Sequence, residues 1–431
     1  MQDSKKSIDL PGAIAIGIGG MVGGGIFAVL GEAVSLSHGA TPLAFGFGGL
    51  VALLTAFSYA RLSVAFPGRG GTVTFIDRAF GNNLASGSVN LMLWLSYLVT
   101  IALYAVAFAS YAQTFFPSGS PLLRHALISL AIVLPTLINL VSASFVSRSE
   151  TFIVAMKLIL LAVIIVFSLP YVRSDHFDPA HWGPLFSVVA AGMIIFVAYE
   201  GFELIANAAE DIEAPERNLP RAFLGSVLIV IALYVLIAAV TVSTVPEDAL
   251  VHAKDYALAV AAKPALGQTG FTLVAVAALL ATFSAINATI YGNARLGYTL
   301  AMDGRLPEGF DEERRNEPFI GILVTMAAAL MIANTIDLTE IAIIGSAGFL
   351  LIFTLVNAAA LKLAARTGGN RTLHLTALLL SAAALAVLLY HTWEENTRAV
   401  MIFGTFAGIS VIFEALYGRW GRGHFLERKY E

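Results

Sequence analysis

Cysteine is absent from the 431 residues, which excludes a disulfide framework, a thiolate metal site and a cysteine nucleophile. Charge is scarce too: Asp, Glu, Lys and Arg make up 13% of the chain, about half the share usual in soluble domains. Hydrophobic residues fill 58%, and the mean hydropathy is +0.81. This balance excludes a water-soluble globular domain, and also disorder, which needs few apolar residues and much charge. A net charge of -4 carries no basic excess of the kind that binds nucleic acid. The sequence contains no Walker A, HExxH or GxSxG pattern, so ATP drive, zinc hydrolysis and serine nucleophile chemistry have no carrier in it. The chain therefore reads as no enzyme, with no cofactor, no metal, no ATP and no nucleic acid partner.

What is present is apolar sequence in runs of about twenty residues, the length an α-helix needs to cross a hydrocarbon core. Charges, Pro and Gly bound twelve such runs, at 11–33, 41–66, 84–116, 125–141, 151–171, 185–207, 222–245, 271–300, 319–335, 338–360, 373–391 and 398–417. The fold class is all-α and polytopic. The first run is long enough to be a full span and is taken as uncleaved rather than as a signal peptide. With the N-terminus on the cytoplasmic side, nineteen Lys and Arg fall inside and five outside, while Lys157 falls within a span. The positive-inside rule then predicts both termini in the cytoplasm and a multi-pass protein of the plasma membrane. The connections at 210–221, 246–269 and 303–318 are too short to be domains, and the second reads as partly helical. Pro215 and Pro220 are expected to stop helices.

Two spans carry interruptions. The first contains IAIGIGGMVGGGIF, in which Gly23, Gly24 and Gly25 are costly for a helix. Two readings stand: a break in the helix, or close packing through small residues. The sixth contains IFVAYEGFELIAN, where Glu200, Gly201 and Glu203 interrupt the apolar run at a depth unsuited to a lipid-facing helix. Interrupted segments at corresponding positions of two halves point to the binding site of a secondary transporter. Spans one and six are five apart, so the second copy of a five-span repeat is inverted in the membrane. That predicts a ten-helix core over 1–360 and two peripheral spans over 361–431. The freed amides of Gly23 to Gly25, with the dipole of the resumed helix, suit a carboxylate. Carbonyls near Phe196, Ala198 and Tyr199 suit an ammonium group. Together they fit an α-amino acid.

The pieces VGGGIF (22–27), FVAYEGFE (196–203), EDIEAPERNLPRA (210–222), ALAVAAKPALG (257–267) and NATIYGNARLGYTLAMDGRLP (287–307) resemble the amino acid/polyamine/organocation superfamily. The chain is most similar to its archaeal, sodium-independent, proton-coupled amino acid transporters. The resemblance implies a LeuT-type fold with spans one and six unwound at mid-membrane and transport by alternating access. It implies that Gly23, Gly24, Gly25 and Ile26 hold the substrate carboxylate and that Phe196 to Gly201 face its amine. Tyr199 and Phe202 would line or gate the pocket, and Ser96, Tyr97 and Ile101 would form its wall. Glu200 departs from the uncharged residue that many members have there.

Lys157, in TFIVAMKLILLAVIIVF, is the cation placed inside a span and not counted to either side. Snorkelling to the interface is one reading. A buried, functional amine is the other, because an intramembrane cation is costly. In the resemblance a lysine here stands in for a second sodium ion, facing Gly19, Val22 and Ser284 and exchanging the coupling proton. Glu200 and Glu203 are secondary proton candidates. Glu203 also reads as an anchor for the resumed helix, and Glu200 as a partner for a cationic substrate or for Lys157. Asn139, Asn287 and Asn357 read as interhelical hydrogen-bond partners, Arg295, Asp303 and Arg305 as a gate network or solvated loop charges, and His391 and Glu414 as interfacial. The function read from this is amino acid transport by proton symport. The alternatives are an exchanger on the same fold and, further off, a sensor or a channel. The partners are an amino acid, a proton and the bilayer.

Overall fold

The computed structural model describes residues 8–420 except 69, 117–118, 142–143, 174, 176–177 and 315–316. Of the cations counted above, Lys5, Lys6, Arg69, Arg315, Arg422, Arg428 and Lys429 lie outside the described residues. Within them, ten helices are long and apolar enough to cross a membrane, and a pair bent by 50° makes an eleventh span. The apolar helix Phe319–Thr335, 17 residues long, completes the twelve. Backbone satisfaction dictates this architecture, since a helix meets its own N–H and C=O groups where no water can.

Helix ends follow local chemistry. Asp9 caps the first helix by accepting from the Gly12 N–H at 2.9 Å, and Asn83 caps span three (Leu84–Gln113) from the Ser86 N–H at 3.1 Å. Gly368, at φ +65°, ends span ten (Leu338–Thr367). Pro215 does not stop a helix. It begins span seven (Pro215–Thr244), and Pro220 sits inside that helix, where its missing N–H leaves only the carbonyl of the exposed Glu216 without a helical donor. Span eight (Lys263–Met302) begins earlier than the hydropathy suggests, with Gly267 at φ +61° marking a kink. The connection before it holds the short helices Glu247–His252 and Ala257–Ala261. A further helix, Gly71–Phe80, lies between spans two (Thr41–Ala65) and three.

Span three is the central post, packed against spans four, eight, nine, ten and twelve. Asn residues pin the interior: Asn139 donates to Asn287 Oδ1 at 2.7 Å, and Asn357 donates to Thr55 at 3.1 Å and Ser381 at 3.2 Å. His391 and Glu414 are both buried, and Gly87 leaves room on span three for the Glu414 side chain. The segment ahead of span one pairs with the one following span six, Ile8 N–H donating to the Asp211 carbonyl at 3.0 Å and Glu213 N–H to the Ile8 carbonyl at 2.9 Å. The ends of the two interrupted spans are thereby tied together.

Candidate functional site

Both interruptions are real breaks in helix. Span one runs as Leu10–Met21, three non-helical residues, and then Gly25–Ser37. Span six runs as Leu185–Ile194, tightens to a 3-10 turn over Ile195–Tyr199, becomes extended at Glu200, and resumes as Leu204–Asn207. The breaks touch. A methyl group built on Gly20 would lie 2.5 Å from the Gly201 carbonyl oxygen, and Gly201 itself has φ +117°, so both positions require glycine. In the resumed half of span one the first intrahelical bond is from Ala28 N–H to the Gly24 carbonyl at 3.0 Å. The amides of Gly25, Ile26 and Phe27 are therefore donors the helix does not use.

Side chains from intact helices brace the breaks. The Tyr234 hydroxyl on span seven lies 2.7 Å from the Met21 carbonyl and 3.2 Å from the Ala198 carbonyl, so one group spans both breaks. Ser346 on span ten donates to the Ile194 carbonyl at 2.6 Å and accepts from the Val197 N–H at 2.9 Å. Tyr199 points away from the breaks and donates to the Phe45 carbonyl at 2.8 Å. Phe202 is locked among Tyr59, Phe223 and Phe353. Glu203 accepts from the Gly201 N–H at 2.8 Å and the Tyr97 hydroxyl at 3.1 Å, which fits the anchoring reading.

A cavity of about 590 Å³ begins where the breaks meet. Gly19, Gly20, Tyr97, Tyr104, Lys157, Glu200, Gly201 and Ser284 line its deep end, and Asn207, Arg295 and Thr299 line it further out. It reaches the exposed Gly292 and Arg295. Lys157 is buried, with 2% exposure, one turn beyond Val154, whose side chain meets the bare face of Gly19. Of the residues singled out from sequence, Gly19, Lys157, Ser284, Glu200, Gly201 and Tyr97 come together in this cavity. Val22, Gly23, Gly24, Gly25, Ile26, Phe196, Ala198, Tyr199, Phe202, Glu203, Ser96 and Ile101 are not among its lining residues. Ser96 turns to its own helix, donating to the Met92 carbonyl at 2.9 Å.

Tyr104 was invisible to the sequence reading, and it separates the two groups. Its ring lies against Gly24, leaving no room for a side chain there, and its hydroxyl meets Glu200 Oε2 at 3.3 Å. One apolar-looking tyrosine in a long helix gives no local signal. Only the approach of span three to span one reveals it.

The opposite end of the molecule is sealed. Lys254 pairs with Glu32, which also accepts from the Thr339 hydroxyl at 2.9 Å. Asp255 accepts from Ser110 at 3.2 Å and lies 3.6 Å from Arg124. The Tyr111 hydroxyl donates to the Phe27 carbonyl at 3.1 Å, and His38 Nδ1 lies 2.6 Å from Glu247. On the cavity's side, Arg305 is no solvated loop charge: it is buried and meets Asp77 at 2.8 Å and Asn82 at 2.5 Å.

Residues 8–412 match the family described as amino acid permease. An uncharacterized protein of Methanocaldococcus jannaschii is 34% identical, with 100% of this chain and 99% of that protein aligned. The inner membrane transport protein YbaT of Escherichia coli is 32% identical over 93% of both chains. The methylthioribose transporter of Bacillus subtilis is 27% identical over 81% of this chain and 79% of its own length. Full-length similarity joins the twelve apolar helices and the paired breaks: the chain belongs to the amino acid permease family and is a multi-pass membrane transporter.

Proposed function

We propose that the protein is a sodium-independent, proton-coupled amino acid symporter of the plasma membrane, working by alternating access on two inverted five-span repeats of the LeuT type. The family description supports the amino acid class. The observation that carries the coupling ion is Lys157, a buried cation lining the cavity beside Gly19 and Ser284. A charged amine there attracts carbonyl and hydroxyl oxygens of spans one and eight, as a bound cation would. When the amine gives up its proton that attraction ends, and spans one, five and eight are free to shift relative to one another. Val22 belongs to the same set through its carbonyl at the break.

The substrate is read as an α-amino acid. Its carboxylate takes the unused amides of the Gly23 to Ile26 stretch at the positive end of the resumed helix, and its amine faces the Phe196 to Gly201 break. Tyr199 and Phe202 support that break from behind, while Ser96, Tyr97 and Ile101 form the adjoining face of span three. The excess of Lys and Arg on the N-terminal side makes the open end cytoplasmic, with both termini on that side.

Uptake of labelled amino acids into proteoliposomes tests this, in sodium-free buffer with and without an inside-alkaline pH gradient. We expect accumulation that collapses on adding a protonophore, and loss of that accumulation in Lys157→Ala and Lys157→Met. Uptake that requires preloaded internal amino acid whatever the gradient would mean an exchanger, with Lys157 a structural cation. Full pH-driven accumulation in both variants would remove Lys157 from the coupling step.

A further inference from the structure

The two carboxylates at the break of span six are not equivalent. Glu203 is held by a backbone amide and a tyrosine hydroxyl and lies outside the cavity lining. Glu200 faces the cavity, and the hydrogen bond recorded for it comes from the Tyr104 hydroxyl at a long 3.3 Å. A carboxylate offers about four acceptor sites, and burying one is costly unless good donors meet it. Glu200 is built to receive a stronger donor than a distant phenol.

Tyr104 indicates where that donor would come from. Its ring covers Gly24, and its hydroxyl lies 3.5 Å from where a Cβ on Gly23 would be. A single oxygen atom therefore stands between the glycines of break one and the carboxylate of break six. An α-amino acid that displaces this oxygen brings a carboxylate to one side and an ammonium to the other, because its ammonium nitrogen is two bonds from its carboxylate carbon. The span-six carbonyls are partly committed already. Ala198 accepts from Tyr234 at 3.2 Å, and Val197 accepts from the Glu200 N–H at 3.3 Å.

We infer that the Glu200 carboxylate receives the substrate's α-ammonium group, at the position the Tyr104 hydroxyl marks, so that the substrate displaces this hydroxyl and with it the ring that covers Gly24. This rests on reading the molecule as an amino acid transporter. Glu200 then selects for an α-amine rather than for a charged side chain. It also links substrate arrival to the uncovering of the carboxylate site, because the group that Glu200 releases is the lid itself.

The test is binding to the purified full-length protein, measured for alanine, leucine and lysine and for the α-hydroxy analogue of each. In the wild type the amino compounds should bind more tightly than the hydroxy analogues. Glu200→Gln should weaken all three amino acids about 10- to 100-fold, the range for a hydrogen bond to a charged group, and leave the hydroxy analogues unmoved. Tyr104→Phe should tighten the amino acids, because it removes the competing hydroxyl and leaves Glu200 in place. The inference is overturned if Glu200→Gln weakens lysine alone, or weakens amino and hydroxy compounds alike. It is also overturned if Tyr104→Phe weakens amino acids, and that sign decides the matter should Glu200→Gln fail to fold. If neither these three nor any other of the twenty amino acids, tried in the same assay, binds the wild type, the transport reading fails first, and the inference with it. Binding without the Glu200 selectivity sinks the inference alone.

Discussion

The sealed end and the open end of this molecule are closed and opened by different chemistry. At the sealed end the ion pairs each have a half-exposed member, Lys254 against the buried Glu32 and His38 against Glu247. At the open end a cavity runs out past Arg295, yet beside it lies a pair buried to 2% exposure, Arg305 with Asp77. Half-exposed pairs are screened and worth little, whereas a buried pair is costly to break. The sealed end is thus built to part, and the Arg305 cluster is built to keep the Gly71–Phe80 helix fixed to the foot of span eight.

The largest effect expected from this contrast is at Arg305. Arg305→Ala leaves Asp77 buried without its guanidinium and should cost about 3–5 kcal/mol, read as a large drop in unfolding temperature in detergent. A loss within about 1 kcal/mol, the value of a surface pair, would erase the distinction between the two ends.

Next comes the joint between the two ends. Gly201→Ala puts a Cβ against the Gly20 backbone at a positive φ, and should cost about 1–3 kcal/mol through overpacking. Transport should fall further than stability does if, as proposed, the ends exchange access around breaks that stay in contact. Equal uptake per folded molecule in wild type and variant would show that the contact is only packing.

Much of the fold is legible in the sequence, whereas the contrast between the two ends is not, and the reason differs by level. The span boundaries follow from hydropathy, and span nine falls at 319–335 in both readings because Pro318 and Asp337 bound it. The break of span one was announced by GGG, and that of span six by two carboxylates beside a glycine. Lys157 with Gly19 and Ser284 was reached through the resemblance, and the structure brings the three to one cavity. Tyr104, Tyr234 and the Arg305–Asp77 pair were not legible as partners. Arg305 and Asp77 are 228 positions apart, and no local period encodes such a meeting. The Glu32–Lys254 latch was missed for the same reason. Pro220 does not stop the span because, as the sixth residue of the helix, it forfeits one bond, to the carbonyl of the exposed Glu216, and the helix continues past it.

A smaller effect is expected at the sealed end itself. Lys254→Gln removes the ion pair to Glu32 and keeps the length of the side chain. The pair is 36% exposed on its lysine side and 8% on its glutamate side, and Glu32 keeps the Thr339 hydroxyl when the lysine is gone, so the bias it supplies is about 1 kcal/mol, roughly a fivefold shift in a two-state equilibrium. The absence of cysteine makes this measurable. A single Thr289→Cys reporter in the cavity wall should label more slowly when Lys254→Gln is added, because the molecule spends less time with the cavity open. An unchanged labelling rate would mean that the latch does not hold the sealed end.

The smallest effect is at His38, where two terms of similar size oppose each other. His38 ends the second half of span one at φ 52°, ψ -131°, a conformation that carries a penalty of order 1–3 kcal/mol for a residue with a Cβ. The surrounding structure holds it there through the 2.6 Å contact with Glu247, between side chains 40% and 48% exposed. Such a pair returns about 0–1 kcal/mol. His38→Gly relieves the backbone and forfeits the pair, so it should raise the unfolding temperature slightly. His38→Ala keeps the strain and forfeits the pair, so it should lower it. If glycine lowered the unfolding temperature as much as alanine, the His38–Glu247 contact would outweigh the strain. The sealed end would then be held by more than the weak, separable links that distinguish it from the buried pair at the other end.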